Sequence, residues 1–325
     1  LEILDRTIFE RLTEPGPRLP WIIQWLLDEV WSRKRYQNNQ PIDFLLQGEE
    51  LVNNLEILIA SAAPRIYDEF LSPTDSSKKL LRALIDSDTA IVLFDGLSLR
   101  EVPIVLDHAE RSGFTLVKTD AAYAATPSET IDFIERELPC GRIPPSQLPS
   151  RKELKEKGIA VIYSGNYNQS LSGEYEGSPL LLWSSFPDVT YRDSGAKFEN
   201  HFANIHFLFE TAWINTVQQI KGKKRIVITS DHGYIFFGTG MDFPRSTSEL
   251  RQLNNYFGND RNVSLIDKPN PPQSDDIFID NSRNLAMVKG RIKTRSTGDA
   301  AAKLYKHGGL SLMEMLVPWV VLESL

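Results

Sequence analysis

Short apolar runs separated by amphipathic stretches organise most of this chain. Near the start, Trp21, Ile22, Trp25, Leu26 and Val30 recur close to i, i+4, and Leu51, Leu55, Ile57, Leu58 and Ile59 continue the pattern. Residues 1–86 therefore read as a helical lead-in, with the turn formers Ser72-Pro73-Thr74-Asp75-Ser76-Ser77 marking a boundary near its end. From Thr89 the character changes to alternation. Ala90-Ile91-Val92-Leu93-Phe94 reads as a strand, Leu99 to Arg111 as a helix closing on Gly113, and Phe114-Thr115-Leu116-Val117 as a second strand. Further strands are predicted at Ile159 to Tyr163, Leu180 to Ser184 and Arg225 to Thr229, with a long helix from Phe198 to Ile220 between the last two. This alternation predicts an α/β fold, a mainly parallel sheet flanked by helices, over residues 87–325. The Pro-rich run Ile143 to Pro149 and the polar stretch Gly240 to Asn284 interrupt it. They read as loops or insertions over the sheet's edge, near 140–158 and 240–284.

Composition narrows the function classes. With 325 residues, 41% of them hydrophobic, the chain can bury one large core with or without a smaller module. A net charge of −7 argues against a broad electrostatic grip on nucleic acid. The lysines at 152, 155, 157 and in Lys221-Gly222-Lys223-Lys224-Arg225 read as solvated surface. The single cysteine, Cys140, permits neither an internal disulfide nor a cysteine-based metal site, which fits a reducing, cytoplasmic location. Apolar runs such as Leu19 to Leu27 fall short of the ~20 residues of a spanning helix, so no membrane partner is expected.

Ligands of open α/β sheets bind outside the carboxyl ends of the strands, and this chain places chemistry at those ends. Asp95-Gly96-Leu97 follows the first strand, Phe186-Pro187-Asp188 follows Ser185, and Asp231-His232-Gly233 follows Ser230. Thr126-Pro127-Ser128-Glu129-Thr130 precedes the helix predicted over Ile131 to Leu138, and Lys306-His307-Gly308-Gly309 precedes Ser311-Leu312-Met313-Glu314. Carboxylates with imidazoles suit a divalent metal such as Zn²⁺ or Mn²⁺. Each station also has a plain structural reading. Asp95-Gly96 is a common turn, and Thr126 to Glu129, like Ser311 to Glu314, has the form of a helix capping box. His307 before two glycines suits a turn, His201 and His206 suit a helix face, and His108 suits a solvated helix surface. The joint occurrence is what points to chemistry.

In this order the stations resemble the PglZ domain, a branch of the alkaline phosphatase superfamily. The resemblance rests on Phe94-Asp95-Gly96-Leu97, Thr229-Ser230-Asp231-His232-Gly233-Tyr234, and His307-Gly308-Gly309-Leu310-Ser311 followed by Val317-Pro318. It implies an alkaline phosphatase-like sheet in which Asp95, Asp231 and His232 hold one metal, with Thr130 completing the shell as nucleophile. His307 would bind a second metal together with Asp188, or alternatively Asp193. The superfamily pattern usually adds a histidine four residues after that aspartate. Here those positions are Arg192 and Lys197, so His201 or His206 would have to substitute, or a cation would stand in the metal's place. One or two ions per chain are expected. The implied function is metal-dependent hydrolysis of a phosphoester, foremost a phosphodiester such as a nucleotide or oligonucleotide, in phage defence or signalling. The competing expectation, favoured by the departure at Arg192, is a catalytically weak scaffold with protein partners in such an assembly.

Overall fold

The computed structural model describes residues 4–324 apart from 72–78, 85, 171–174, 176, 193–196, 239, 242 and 295–303. The Ser72 to Ser77 boundary and Asp193 lie outside the described residues. The strands are β1 (Thr89–Phe94), β2 (Phe114–Tyr123), β3 (Ala160–Ser164), β4 (Leu180–Ser184), β5 (Arg225–Thr229), β6 (Ile235–Phe236), β7 (Asn262–Ser264), β8 (Ile277–Asp280), β9 (Leu285–Val288), β10 (Tyr305–Lys306) and β11 (Leu316–Ser324). Six of them form one sheet in the order β2-β11-β5-β1-β4-β3. Strands β5, β1, β4 and β3 are parallel, and β11 runs antiparallel to both β5 and β2. The fold is thus α/β with a mainly parallel sheet, flanked by helices that include Pro41–Ala62, Val102–Arg111 and Phe198–Ile220.

Local pattern explains the centre of the sheet. Every residue of β1 and β4 is buried, as expected of continuous apolar runs covered on both faces. The helix Phe198–Ile220 buries Phe202, Ile205, Phe209, Trp213 and Ile220 on one side. Neighbouring Val102–Arg111 buries His108 against Phe209, with ring centroids 5.3 Å apart. The expectation of a solvated His108 is therefore corrected: the helix turns that residue toward Phe209, where its ring packs as a flat apolar surface. Lys223 is likewise buried, its ammonium donating to the carbonyls of Ser87 and Ser178.

One segment carries more structure than the sequence-based expectation gave it. The stretch 240–284 is not merely loop: it contains the helix Thr247–Phe257 as well as β7 and β8, which pair on either side of β9. Around them a separate small core gathers Phe243, Leu253, Phe257, Ile277 and Val288. The helical lead-in also packs into the main core, which runs from Ile8 to Leu322. Its helix Pro41–Ala62 carries Glu49, fully buried, which pairs with Arg100 just after β1 and with Arg291 just after β9.

The same helix carries Glu56, whose Oε1 accepts the Leu312 N–H at 2.7 Å. Burial pushes the Glu56 carboxyl up to about 7, against the opposing pull of Arg291. Because the folded state holds this proton more tightly than the unfolded chain, the stability it contributes is complete below the ordinary value of 4.5 and is lost as pH rises through about 7. Wild type is expected to lose on the order of 2 kcal/mol between pH 5 and pH 8 through this group. Glu56→Gln, which retains an acceptor for Leu312, should flatten that dependence in urea titrations at the two pH values. An unchanged pH slope in the variant would remove Glu56 as its source.

Candidate metal centre

Register brings the strand-end aspartates together. Leu93 lies opposite Thr229 and Phe94 opposite Ser184, so the chain leaves β1, β4 and β5 at one level of the carboxyl edge. Strand β11 begins at that same edge, with Leu316 paired to Tyr123 at the end of β2. The His307-Gly308-Gly309 segment that leads into β11 is thereby carried to the carboxylates.

Three ligand-type atoms face one another there. Nε2 of His232 lies 3.5 Å from Oδ1 of Asp95 and 3.8 Å from Oδ2 of Asp231. All three atoms are buried without a hydrogen-bond partner, although buried polar atoms ordinarily have one. The contacts are too long for good hydrogen bonds. They are close to the roughly 3.3 Å that separates ligand atoms held tetrahedrally at ~2.0 to 2.1 Å from one ion. The other side of His232 and of Asp231 is occupied. Nδ1–H of His232 donates to the Gly233 carbonyl at 2.9 Å, and Oδ1 of Asp231 accepts from the Gly96 N–H at 3.2 Å and the Ser230 hydroxyl at 3.3 Å. Such outer bonds orient the remaining atom inward. The residues therefore fit a divalent cation.

Charge agrees with that fit. Burial and then the Asp231 charge push the Asp95 carboxyl up to about 7. Burial alone would lower the His232 imidazole, but Asp231 and Asp95 outweigh it and hold it well above its usual range. Buried carboxylates packed this closely call for a positive charge among them.

A second set, Asp188 with His232 and His307, overlaps the first. The His307 ring stacks on His232 with centroids 3.9 Å apart, and its Nδ1–H donates to the Ser128 carbonyl at 3.1 Å. Its Nε2 is 3.9 Å from Oδ1 of Asp188. His307 thus faces the cluster and is more than a turn residue. His201 and His206 do not join it: His201 Nε2 meets the Thr190 hydroxyl at 3.0 Å, and His206 lies against Phe207.

Thr130 opens the helix Thr130–Glu137, two residues beyond Ser128, whose carbonyl meets His307. The capping-box expectation for Thr126 to Glu129 is corrected. The helix starts three residues later than that box requires, with Glu129 as its N-cap and no capping side chain. Glu129 turns instead toward His307, at 3.4 Å, and toward Asn262. At Ser311 half of a box forms: its hydroxyl accepts the Glu314 N–H, while the Glu314 carboxylate accepts the Gly309 N–H and pairs with buried Arg261.

The glycines are required by close approach. A Cβ on Gly233 would sit 2.1 Å from the Met313 carbonyl oxygen, and one on Gly309 would sit 2.7 Å from Nε of Arg261. Sequence reasoning missed Arg261 and Asn262, which brace this loop from inside the supposed insertion. It also missed Tyr305, whose hydroxyl donates to Asp188 Oδ1 at 2.6 Å. One signal was available: in an extended segment Tyr305 and His307 point the same way.

Fold and site together define an α/β protein with a candidate metal centre of aspartates and histidines at the carboxyl edge of its sheet. No family model matches the chain, and no curated protein matches it. Among solved structures it is similar to murine ectonucleotide pyrophosphatase/phosphodiesterase 5, with a TM-score of 0.46 and 12% identity over 73% of this chain and 88% of that one. It is also similar to phosphonoacetate hydrolase from Sinorhizobium meliloti 1021, with a TM-score of 0.38 and 12% identity over 74% of this chain and 90% of that one. Among the described residues no helix is long and apolar enough to cross a membrane.

Proposed function

We propose that this protein is a metal-dependent phosphoester hydrolase acting on a diester, with Thr130 as nucleophile. The observation that carries the reading is the convergence of three buried, otherwise unbonded ligand atoms from Asp95, Asp231 and His232. The Thr130 hydroxyl, at the first position of a helix that no side chain caps, supplies the step from a metal centre to phosphoryl chemistry. Unpaired N–H groups and the positive end of the helix dipole favour both an ionised hydroxyl and a phosphate there.

A divalent ion such as Zn²⁺ or Mn²⁺, when bound, supplies positive charge against the phosphoryl oxygens and acidifies a nearby hydroxyl. Asp95, Asp231 and His232 would hold it, with Asp188 and His307 at its flank. Thr130 Oγ forms a bond to phosphorus as the bond to one leaving alcohol breaks, the other ester group staying on phosphorus; water then cleaves the bond from phosphorus to Thr130, releasing the monoester and restoring the hydroxyl. The resemblance to the PglZ domain extends the proposal to a nucleotide or oligonucleotide diester within a cytoplasmic phage-defence or signalling assembly.

The test is hydrolysis of bis-p-nitrophenyl phosphate by metal-stripped protein, before and after Zn²⁺ or Mn²⁺ is restored. Activity should return with metal. Asp231→Asn should lose both bound ion and activity while remaining folded by circular dichroism. A folded wild type that binds metal yet is inert toward every diester offered would favour the scaffold reading.

A further inference from the structure

The two ligand sets cannot both be filled by separate ions, because His232 belongs to each. Its Nδ1–H is committed to the Gly233 carbonyl, which leaves Nε2 as its one lone pair for an ion. Nε2 points between Asp95 and Asp231, so among the described residues the second set is reduced to Asp188 and His307.

Asp188 is in turn engaged. Its Oδ1, the oxygen that faces Nε2 of His307, accepts the 2.6 Å hydrogen bond from Tyr305, and its backbone N–H donates to the Asp95 carbonyl at 3.0 Å. Tyr305 is set rigidly for this contact. Its ring packs against Tyr234 and Tyr191, with centroids 4.7 Å and 5.4 Å away, and β10 fixes its backbone opposite Phe236. Its hydroxyl passes over Gly96, where a Cβ would lie only 2.8 Å from the phenolic oxygen. Gly96 also has φ +72, a backbone conformation that favours glycine. The residue four places after Asp188 is Arg192, which is no metal ligand, and His201 is bonded elsewhere.

We propose, resting on the metal reading above, that the chain holds a single divalent cation at Asp95, Asp231 and His232. Tyr305 keeps Asp188 as a hydrogen-bond acceptor, so that no second ion settles between Asp188 and His307. Tyr305 is then a positioning residue that sets the metal count.

Metal-stripped protein titrated with Zn²⁺ by calorimetry, with zinc content measured after desalting, tests this without any substrate. Wild type should take one ion per chain. Asp188→Asn should still take one, weakened by about tenfold to a hundredfold, the scale of a change next to the ligands. Tyr305→Phe keeps the ring stack but removes the donor, and should admit a second, weaker ion. Two ions in wild type overturn the proposal, as do loss of the ion in Asp188→Asn and a count of one in Tyr305→Phe. A folded wild type that binds no ion overturns the metal reading itself, an outcome distinct from a wrong count.

Discussion

Thr130→Ala is expected to lower phosphodiester hydrolysis by about a hundredfold or more while leaving the fold and the bound cation in place. The expectation follows from what the substitution removes. Thr130 is half-buried at the first position of its helix, so its loss deletes a hydroxyl and a methyl group and opens little of the core. The cation would keep its Asp95, Asp231 and His232 ligands, and it and the binding groups then supply the residual rate. Kinetics on bis-p-nitrophenyl phosphate should show the loss in kcat rather than in KM, since a nucleophile acts only in the transition state. Zinc content by elemental analysis should match wild type. Mass spectrometry of rapidly quenched wild type should find a p-nitrophenyl phosphoryl group on the peptide containing Thr130, and none in the variant. A folded Thr130→Ala protein with wild-type kcat would exclude Thr130 from the mechanism.

Glu49→Ala should have the largest effect on stability, about 3 to 5 kcal/mol, the cost of breaking a buried ion pair by removing one partner. Here one carboxylate serves two guanidinium groups. Arg100 and Arg291 have no exposed side-chain surface and both contact Glu49. Arg100 also donates to the Tyr234 carbonyl, two residues past His232, and packs over the Tyr234 ring at 4.3 Å. Without Glu49, two like charges remain buried together behind the site. Against a typical total of roughly 5 to 15 kcal/mol, such a loss approaches unfolding, and the urea midpoint should fall sharply. Glu49→Gln should be milder, because it retains an acceptor. A midpoint for Glu49→Ala close to wild type would show that water or side-chain rearrangement accommodates the two arginines.

Where burial is two-sided, the chain could be read directly. Strands β1, β4 and β5 appear as apolar runs, and the helix Phe198–Ile220 has the predicted ends. Strand β2 could be read only as far as Val117, although it continues to Tyr123. Its later residues, Lys118-Thr119-Asp120, are polar because β2 is an edge strand paired only with β11. Strand β11 was hidden by Pro318, a residue that argues against a central strand. Pairing with β5 begins only at Trp319, so Pro318 itself is bounded by β2 alone. The small sheet of β7, β8 and β9 escaped notice because its strands are three or four residues long and β7 and β8 are only partly buried.

The sequence by itself determined which chemical groups stand at the ends of the strands: Asp95, Asp188 and Asp231 with His232, each after an apolar run, and His307 before two glycines. These are local facts, set by residue type and a short periodicity. Tertiary structure alone decided that they meet. Gly96, next to Asp95, and Asp231 are 135 residues apart and are brought level by the register of β1 with β5, while His307 arrives because β11 runs against its neighbours. Tertiary structure alone also set Tyr305 on Asp188 and Glu49 between two arginines. Strand register and long-range ion pairing depend on partners distant in the chain, so no local pattern encodes them.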